Sequence, residues 1–192
     1  MRGNLQLKIC FLLLVAALFG LSACNRDDSV QAAREDERNP ALSATPAEQD
    51  FMMKAAQTHL AEIDMARIVM QKTENSDVKD FANMIQKDHT HALDDLMDLM
   101  QKKGMSQPNV LSPDAKTDIE KMTAISGAEM DREFANTMVA DHQKAIEMFR
   151  DHVNIAQSPD VKKYAEDLLP ELEMHLEKAQ KLQSKLFGGG KP

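Results

Sequence analysis

The chain has 192 residues, the length of one domain or at most two, and its 31 acidic and 23 basic residues give a formal net charge of −8. This acidic balance excludes nucleic-acid binding, because binding to phosphates requires clustered Lys and Arg. Hydrophobic residues make up 43 % of the chain, enough for a core, whereas aromatic residues make up only 4 %. So few aromatic residues disfavour a β-sandwich or barrel, and the composition predicts an all-α protein.

Residues 1–23 have the features of a signal peptide. Two basic residues precede an uncharged run over residues 9–21, which is too short to cross a hydrocarbon core of about 30 Å. The sequence Leu-Ser-Ala-Cys at 21–24 resembles a bacterial lipobox, in which the chain is cut before the Cys and the Cys is lipidated. We therefore expect Cys24 to anchor the protein in a membrane. The alternative is an ordinary signal peptide that ends near a Cys.

Cleavage before Cys24 changes what the rest of the chain can do. The formal charge becomes −10 and Cys10 leaves with the signal peptide, so no thiol remains for a disulfide or a thiolate metal site. Asn25 resembles an outer-membrane sorting signal, which predicts the periplasmic face of the outer membrane in a host with two membranes. Residues 24–45 are polar and lack apolar periodicity, so we predict a flexible tether after the lipidated Cys.

Apolar residues recur at helical spacing over most of the remaining chain. The first helix begins with Thr45 as its cap, Pro46 at the first helical position and Glu48 closing a capping box. Gly104 ends the second helix, and Ser-Pro pairs begin the third and fifth. We predict one helical domain over residues 46–187, a kink at Pro170 and a flexible tail over 188–192. The predicted helices cover residues 46–74, 77–103, 113–127, 128–156 and 159–186.

An internal repeat relates the first helix pair to the last. Residues 59–82 align without a gap with residues 142–165, and the alignment pairs His59 with His142 and the sequence DVKDFA with DVKKYA. Such a repeat predicts two antiparallel helix pairs joined by a connection that contains the short helix. The fold class we predict is therefore an all-α four-helix bundle with one crossover.

Stretches within residues 50–183 resemble a family of uncharacterised bacterial ferritin-like proteins, secreted or of the outer membrane, that is grouped under a domain of unknown function. They include VKDFA at 78–82, the Asp-His pair at 88–89, the helix at 134–142 and LPEL at 169–172. The resemblance implies a ferritin-like fold and an extracytoplasmic location, without an established reaction. Ferritin-like diiron enzymes carry Glu-x-x-His on two helices, and its absence here argues against oxidase or iron-storage chemistry.

The six histidines are not scattered over the helices. Five of them lie within about three residues of a predicted helix midpoint, and the midpoints of an antiparallel bundle share one layer. Each long helix places one histidine on its apolar stripe, with a carboxylate beside it or one turn away. The predicted metal ligands are these histidines and carboxylates: His59, Glu62, Asp88, His89, Asp141, His142, Glu171 and His175.

Imidazole and carboxylate ligands suit a divalent transition metal, and the lack of thiolates leaves Fe, Zn, Mn, Ni and Cu open. Two other interpretations stand beside this one. A buried histidine bonded to an acid is satisfied without a metal, so the layer would also suit a metal-free structural or protein-interaction module. The 14 Met residues would suit a copper-binding Met/His protein, because thioethers select Cu(I), although Met also fills gaps in a core.

The function that the sequence predicts is transition-metal binding by a membrane-anchored extracytoplasmic protein. We predict no catalytic residues, since the chain carries no nucleophile motif, phosphate loop or nucleotide fingerprint. Redox chemistry at the metal is the reaction that such a site would favour. The lipid anchor makes the membrane a partner, and a protein partner or a second copy of the chain stays open.

Overall fold

The structure is a computed structural model that describes residues 44–108 and 110–188. These residues form five helices and no strand, which confirms the all-α prediction. No helix in this part of the chain is long and apolar enough to cross a membrane. The predicted signal peptide, the lipidated Cys24 and nearly all of the predicted tether and tail lie outside the described residues. The helices are α1 (Pro46–Lys72), α2 (Ser76–Lys102), α3 (Pro113–Ala124), α4 (Gly127–Ile155) and α5 (Pro159–Gly188).

The helices begin and end within three residues of the predicted positions. At the start of α1, Thr45 Oγ1 accepts a hydrogen bond from the backbone N–H of Glu48 at 3.2 Å, and Glu48 Oε2 accepts one from the Thr45 N–H at 2.7 Å. The predicted capping box is therefore present. Gly104, just after α2, has a φ of 68°, a left-handed conformation that glycine adopts without strain and that ends a helix.

The Glu48 carboxylate also joins the start of α1 to the turn before α5. Its Oε1 accepts hydrogen bonds from the backbone N–H groups of Gln157 at 2.9 Å and Ser158 at 2.6 Å. Burial acts to raise the pKa of Glu48, but the hydrogen bonds from these backbone groups and from Thr45 outweigh it and lower the pKa. One buried carboxylate thus ties together two segments that are far apart in the chain.

The four long helices pack in pairs around a common interior. Helix α1 packs along α2, and α4 packs along α5, while α1 also contacts α4 and α2 contacts α5. Two apolar clusters fill the interior, one around Phe51, Leu96 and Phe149, the other around Ile85 and Phe134. On every long helix the change from one cluster to the other falls near a histidine. These histidines are His59, His89, His142 and His175.

Candidate metal centre

Four histidines, one from each long helix, and Glu62 form a buried layer between the two apolar clusters, which we call the histidine layer. Each of the five residues is at most 2 % exposed. The ring centroid of His89 lies 4.9 Å from that of His59, 5.4 Å from that of His142 and 5.2 Å from that of His175. His89 therefore lies at the centre of the layer and contacts the other three imidazoles.

Two of these rings have one nitrogen bonded to an oxygen acceptor. His142 Nδ1 lies 2.9 Å from the backbone carbonyl oxygen of Met138, one turn earlier on α4. His175 Nε2 lies 3.2 Å from Asp88 Oδ2 on α2. Because carbonyl and carboxylate oxygens accept hydrogen bonds, both nitrogens carry the ring proton. In the neutral rings, His142 Nε2 and His175 Nδ1 are therefore unprotonated, and each carries a lone pair.

The tautomer of His89 follows from a chain of contacts that ends at a backbone carbonyl. The Tyr164 hydroxyl donates to the Ala92 carbonyl oxygen at 3.3 Å, so it accepts from His59 Nε2 at 3.0 Å. His59 Nδ1 is then the acceptor for His89 Nδ1, 3.0 Å away. Glu62 Oε2 lies 2.7 Å from the same His89 nitrogen, and its negative charge favours a proton there. His89 Nε2 is therefore a third lone pair.

The three lone pairs face one another inside the layer. His89 Nε2 lies 3.2 Å from His175 Nδ1, and His89, His142 and His175 each offer a nitrogen within 4.8 Å of the others. Among the described residues, His142 Nε2 has no hydrogen-bond partner. Lone pairs this close repel each other unless a cation lies among them. Rings whose outer nitrogens are bonded to carbonyl or carboxylate oxygens have the geometry of histidine metal ligands.

Burial keeps three imidazoles of the layer, those of His59, His142 and His175, in the neutral form that binds metals. Burial and the neighbouring His89 lower the pKa of His59 to about 3. Burial, together with His89 and His142, lowers the pKa of His175 to about 4. Burial also lowers the pKa of His142. At neutral pH these three rings therefore add no positive charge to the layer.

Glu62 brings a negative charge into the same layer. Burial acts to raise its pKa, but the facing imidazoles, His89 first, outweigh burial and lower the pKa to about 2. Both carboxylate oxygens are buried and face imidazole nitrogens: Oε2 lies 2.7 Å from His89 Nδ1, and Oε1 lies 3.7 Å from His142 Nδ1. A buried anion is costly without a compensating cation. Lone pairs and charge in the layer thus both favour a bound cation.

The other predicted ligands lie around the layer rather than in it. Asp88 and Glu171 are partly exposed and form, with His175, a second group of ligand atoms within 4.8 Å of one another. Burial and the nearby Asp88 raise the pKa of Glu171. Asp141 belongs to neither group; it contacts Lys144 at 3.5 Å, and burial and Glu62 raise its pKa to about 6. The structure therefore brings together seven of the eight predicted ligands and leaves Asp141 apart.

Tyr164, which holds His59 in the layer, is not among the predicted site residues. Two signals mark it: it is the only tyrosine in the chain, and the repeat aligns it with Phe81. His152, far from a helix midpoint, is also buried, but it stacks on Phe51 with a centroid distance of 3.9 Å and lies outside the layer. His91 is exposed beside Asp95 and also lies outside the layer.

A family model for the domain of unknown function DUF4142 matches residues 31–182. The chain belongs to the DUF4142 family. No curated protein matches it. The match spans all four long helices up to Leu182, and with them every residue of the histidine layer.

Solved structures share the helical fold of this DUF4142 protein. A DUF305 fragment from Deinococcus radiodurans has a TM-score of 0.68 at 18 % identity and covers 74 % of this chain and 99 % of its own. A DUF305 protein from Streptomyces coelicolor, described as a candidate secreted protein, has a TM-score of 0.63 at 16 % identity, with coverages of 73 % and 94 %. A candidate spore coat protein from Bacillus halodurans has a TM-score of 0.62 at 18 % identity, with coverages of 78 % and 93 %.

Proposed function

We propose that this DUF4142 protein binds one transition-metal ion through His89, His142 and His175. The observation that carries the proposal is the set of three facing imidazole nitrogens, of which His142 Nε2 has no hydrogen-bond partner among the described residues. Glu62 supplies negative charge beside His89, and Asp88 orients His175. Imidazole nitrogen with nearby carboxylate suits Fe, Zn, Mn, Ni and Cu.

A metal-free structural layer is the competing function. Such a layer fixes helix register only if its buried polar atoms find partners, as buried polar groups generally do. His142 Nε2 has none among the described residues, and this favours the metal. The copper-thioether alternative has less support, since the three facing groups are imidazoles and the hydrogen bond between Met138 and His142 is made by the Met138 backbone carbonyl.

The proposed setting is the cell envelope. We propose that Cys24 carries the lipid anchor and that the four long helices form a ferritin-like bundle, with α3 in the crossover. Support for the bundle comes from the packing of α1 with α2 and α4, and of α5 with α2 and α4. The DUF305 relative described as a candidate secreted protein supports an extracytoplasmic location.

The test is the metal content of the full chain, purified in detergent, and its thermal unfolding with each of the five metals. We expect one bound equivalent, and stabilisation by about 2.7 kcal/mol at a metal concentration of 100 times Kd. His142→Ala removes a proposed ligand and should remove the metal. His152→Ala, at a buried histidine outside the layer, is the matched control and should keep it. No bound metal and no thermal shift in the parent, or equal metal content in His142→Ala, would contradict the proposal.

A further inference from the structure

A cleft of about 540 Å³ between α1, α3 and α4 extends from solvent to the histidine layer. We call it the acidic cleft, because four of its six charged residues are acids. Lys54 at its edge pairs with Asp50 at 2.7 Å, and Lys144 lies 3.5 Å from Asp141. The charged residues that line it are Lys54, Glu62, Asp114, Asp118, Asp141 and Lys144.

Glu62 belongs to both the acidic cleft and the histidine layer. The residue lines the inner end of the cleft, although it is only 1 % exposed. On the side of the layer, Oε2 lies 2.7 Å from His89 Nδ1, and Oε1 lies 3.7 Å from His142 Nδ1. A buried, ionised carboxylate whose neighbours in the layer are imidazoles, at the inner end of an open cleft, is a site for a cation.

We infer that the acidic cleft is the route by which a divalent cation reaches the histidine layer, with Asp118 and Asp141 as outer carboxylates and Glu62 as the inner one. This inference rests on the proposed metal binding. The apolar clusters on either side of the layer close the route along the bundle axis, because a cation that leaves water for apolar surroundings loses far more than it gains. Carboxylates along a cleft replace the lost water step by step.

The structure also offers a competing route. A smaller cleft of about 180 Å³ lies between α2 and α5 and is lined by His91, Asp95, Tyr164, Asp167 and Glu171 among others. It approaches the layer from the side of Tyr164, whose hydroxyl already bonds to His59. Asp167→Asn therefore serves as a test of that second route.

Tyr164 makes the rate of cation uptake measurable. The chain has one tyrosine and no tryptophan, and the Tyr164 hydroxyl lies 3.0 Å from His59 Nε2. Binding of Co²⁺ to the layer should quench its fluorescence. The experiment mixes the full chain with Co²⁺ at low salt and follows this quenching in time. Asp118→Asn/Asp141→Asn is the test variant, and Glu120→Gln/Glu147→Gln, at exposed acids of the same two helices outside the cleft, is the matched control.

We expect the test variant to take up Co²⁺ about tenfold more slowly than the parent, and the control to match the parent. The final Co²⁺ content should be equal in all three proteins. Ala115→Leu, which narrows the cleft without changing its charge, should slow uptake at high salt as well. Equal uptake rates in the test variant and the control, or slower uptake in Asp167→Asn instead, would overturn the proposed entry route but not the proposed metal binding. No uptake by the parent would overturn the proposed function together with the route.

Discussion

Replacing Tyr164 with Phe tests the contact chain that assigns the tautomers of the histidine layer. The substitution removes one hydroxyl, which accepts from His59 Nε2 at 3.0 Å and donates to the Ala92 carbonyl at 3.3 Å. The Ala92 carbonyl lies inside α2 and keeps its helical hydrogen bond, so losing the contact with the Tyr164 hydroxyl costs little there. His59 is 1 % exposed, and its Nε2–H loses its partner.

The expected cost is that of one buried donor left without an acceptor. Such a group lowers the free energy of unfolding by about 1–3 kcal/mol. His59 is not among the three proposed ligands, so the metal content of Tyr164→Phe should equal that of the parent. The assay is urea unfolding followed by far-UV circular dichroism, because the variant lacks the tyrosine signal.

A double-mutant cycle separates this cost from lost packing. In a His59→Leu background no N–H is left to lose its partner, so Tyr164→Phe should cost less than about 0.5 kcal/mol there. An equal cost in both backgrounds would refute the assigned hydrogen bond. Loss of the metal in Tyr164→Phe would place His59 among the ligands and refute the tautomer assignment.

Three further predictions concern the layer and the Glu48 carboxylate. Glu62→Gln should weaken Co²⁺ binding by about 10–100-fold in a competition titration, because the amide carries no charge to favour the proton on His89 Nδ1; unchanged affinity would contradict this role. Acidification from pH 7 to 5 should destabilise the metal-free protein by about 2 kcal/mol for each of His59 and His175, since these rings stay neutral in the fold while the unfolded chain binds protons near pH 6.5. The lowered pKa of His142 acts in the same direction. The raised pKa of Asp141 acts in the opposite direction and offsets part of this loss. Urea unfolding at each pH measures whether the free energy of unfolding falls between pH 7 and pH 5. Glu48→Gln should lower the free energy of unfolding by about 2–4 kcal/mol, because the amide cannot accept from all three backbone N–H groups; a loss below about 0.5 kcal/mol would show that these bonds contribute little.

The helices and the layer were predictable because their signals are local. Caps at Thr45 and Ser112, and a left-handed glycine at 104, depend only on neighbouring residues. Predicting the histidine layer required one further assumption, that the midpoints of antiparallel helices lie at the same height in the bundle. This assumption holds for either handedness of the bundle. Both predictions therefore needed no knowledge of how the helices are rotated about their axes.

The pairing within the layer needed that knowledge. Glu62 lies one turn from His59 in the sequence, yet it contacts His89 on the neighbouring helix. A helix turns by about 100° per residue, so an acid directly beside an inward histidine points away from the stripe. Asp88 is turned toward α5, where it meets His175, and Asp141 is turned into the acidic cleft. Which neighbour each acid meets depends on the packing of all four helices, which a single sequence does not reveal.

The internal repeat explains why His59, in one half of the chain, has a hydrogen-bond partner for its Nε2, whereas His142, in the other half, has none among the described residues. His59 and His142 occupy equivalent positions in the two halves, and Tyr164 is aligned with Phe81. The Tyr164 hydroxyl bonds to His59 Nε2, whereas Phe81 has no hydroxyl and His142 Nε2 has no partner among the described residues. A layer that only fixed helix register would gain from a tyrosine in both halves, because both histidines would then be satisfied. The difference between the halves instead leaves a lone pair free where the proposed ligands meet.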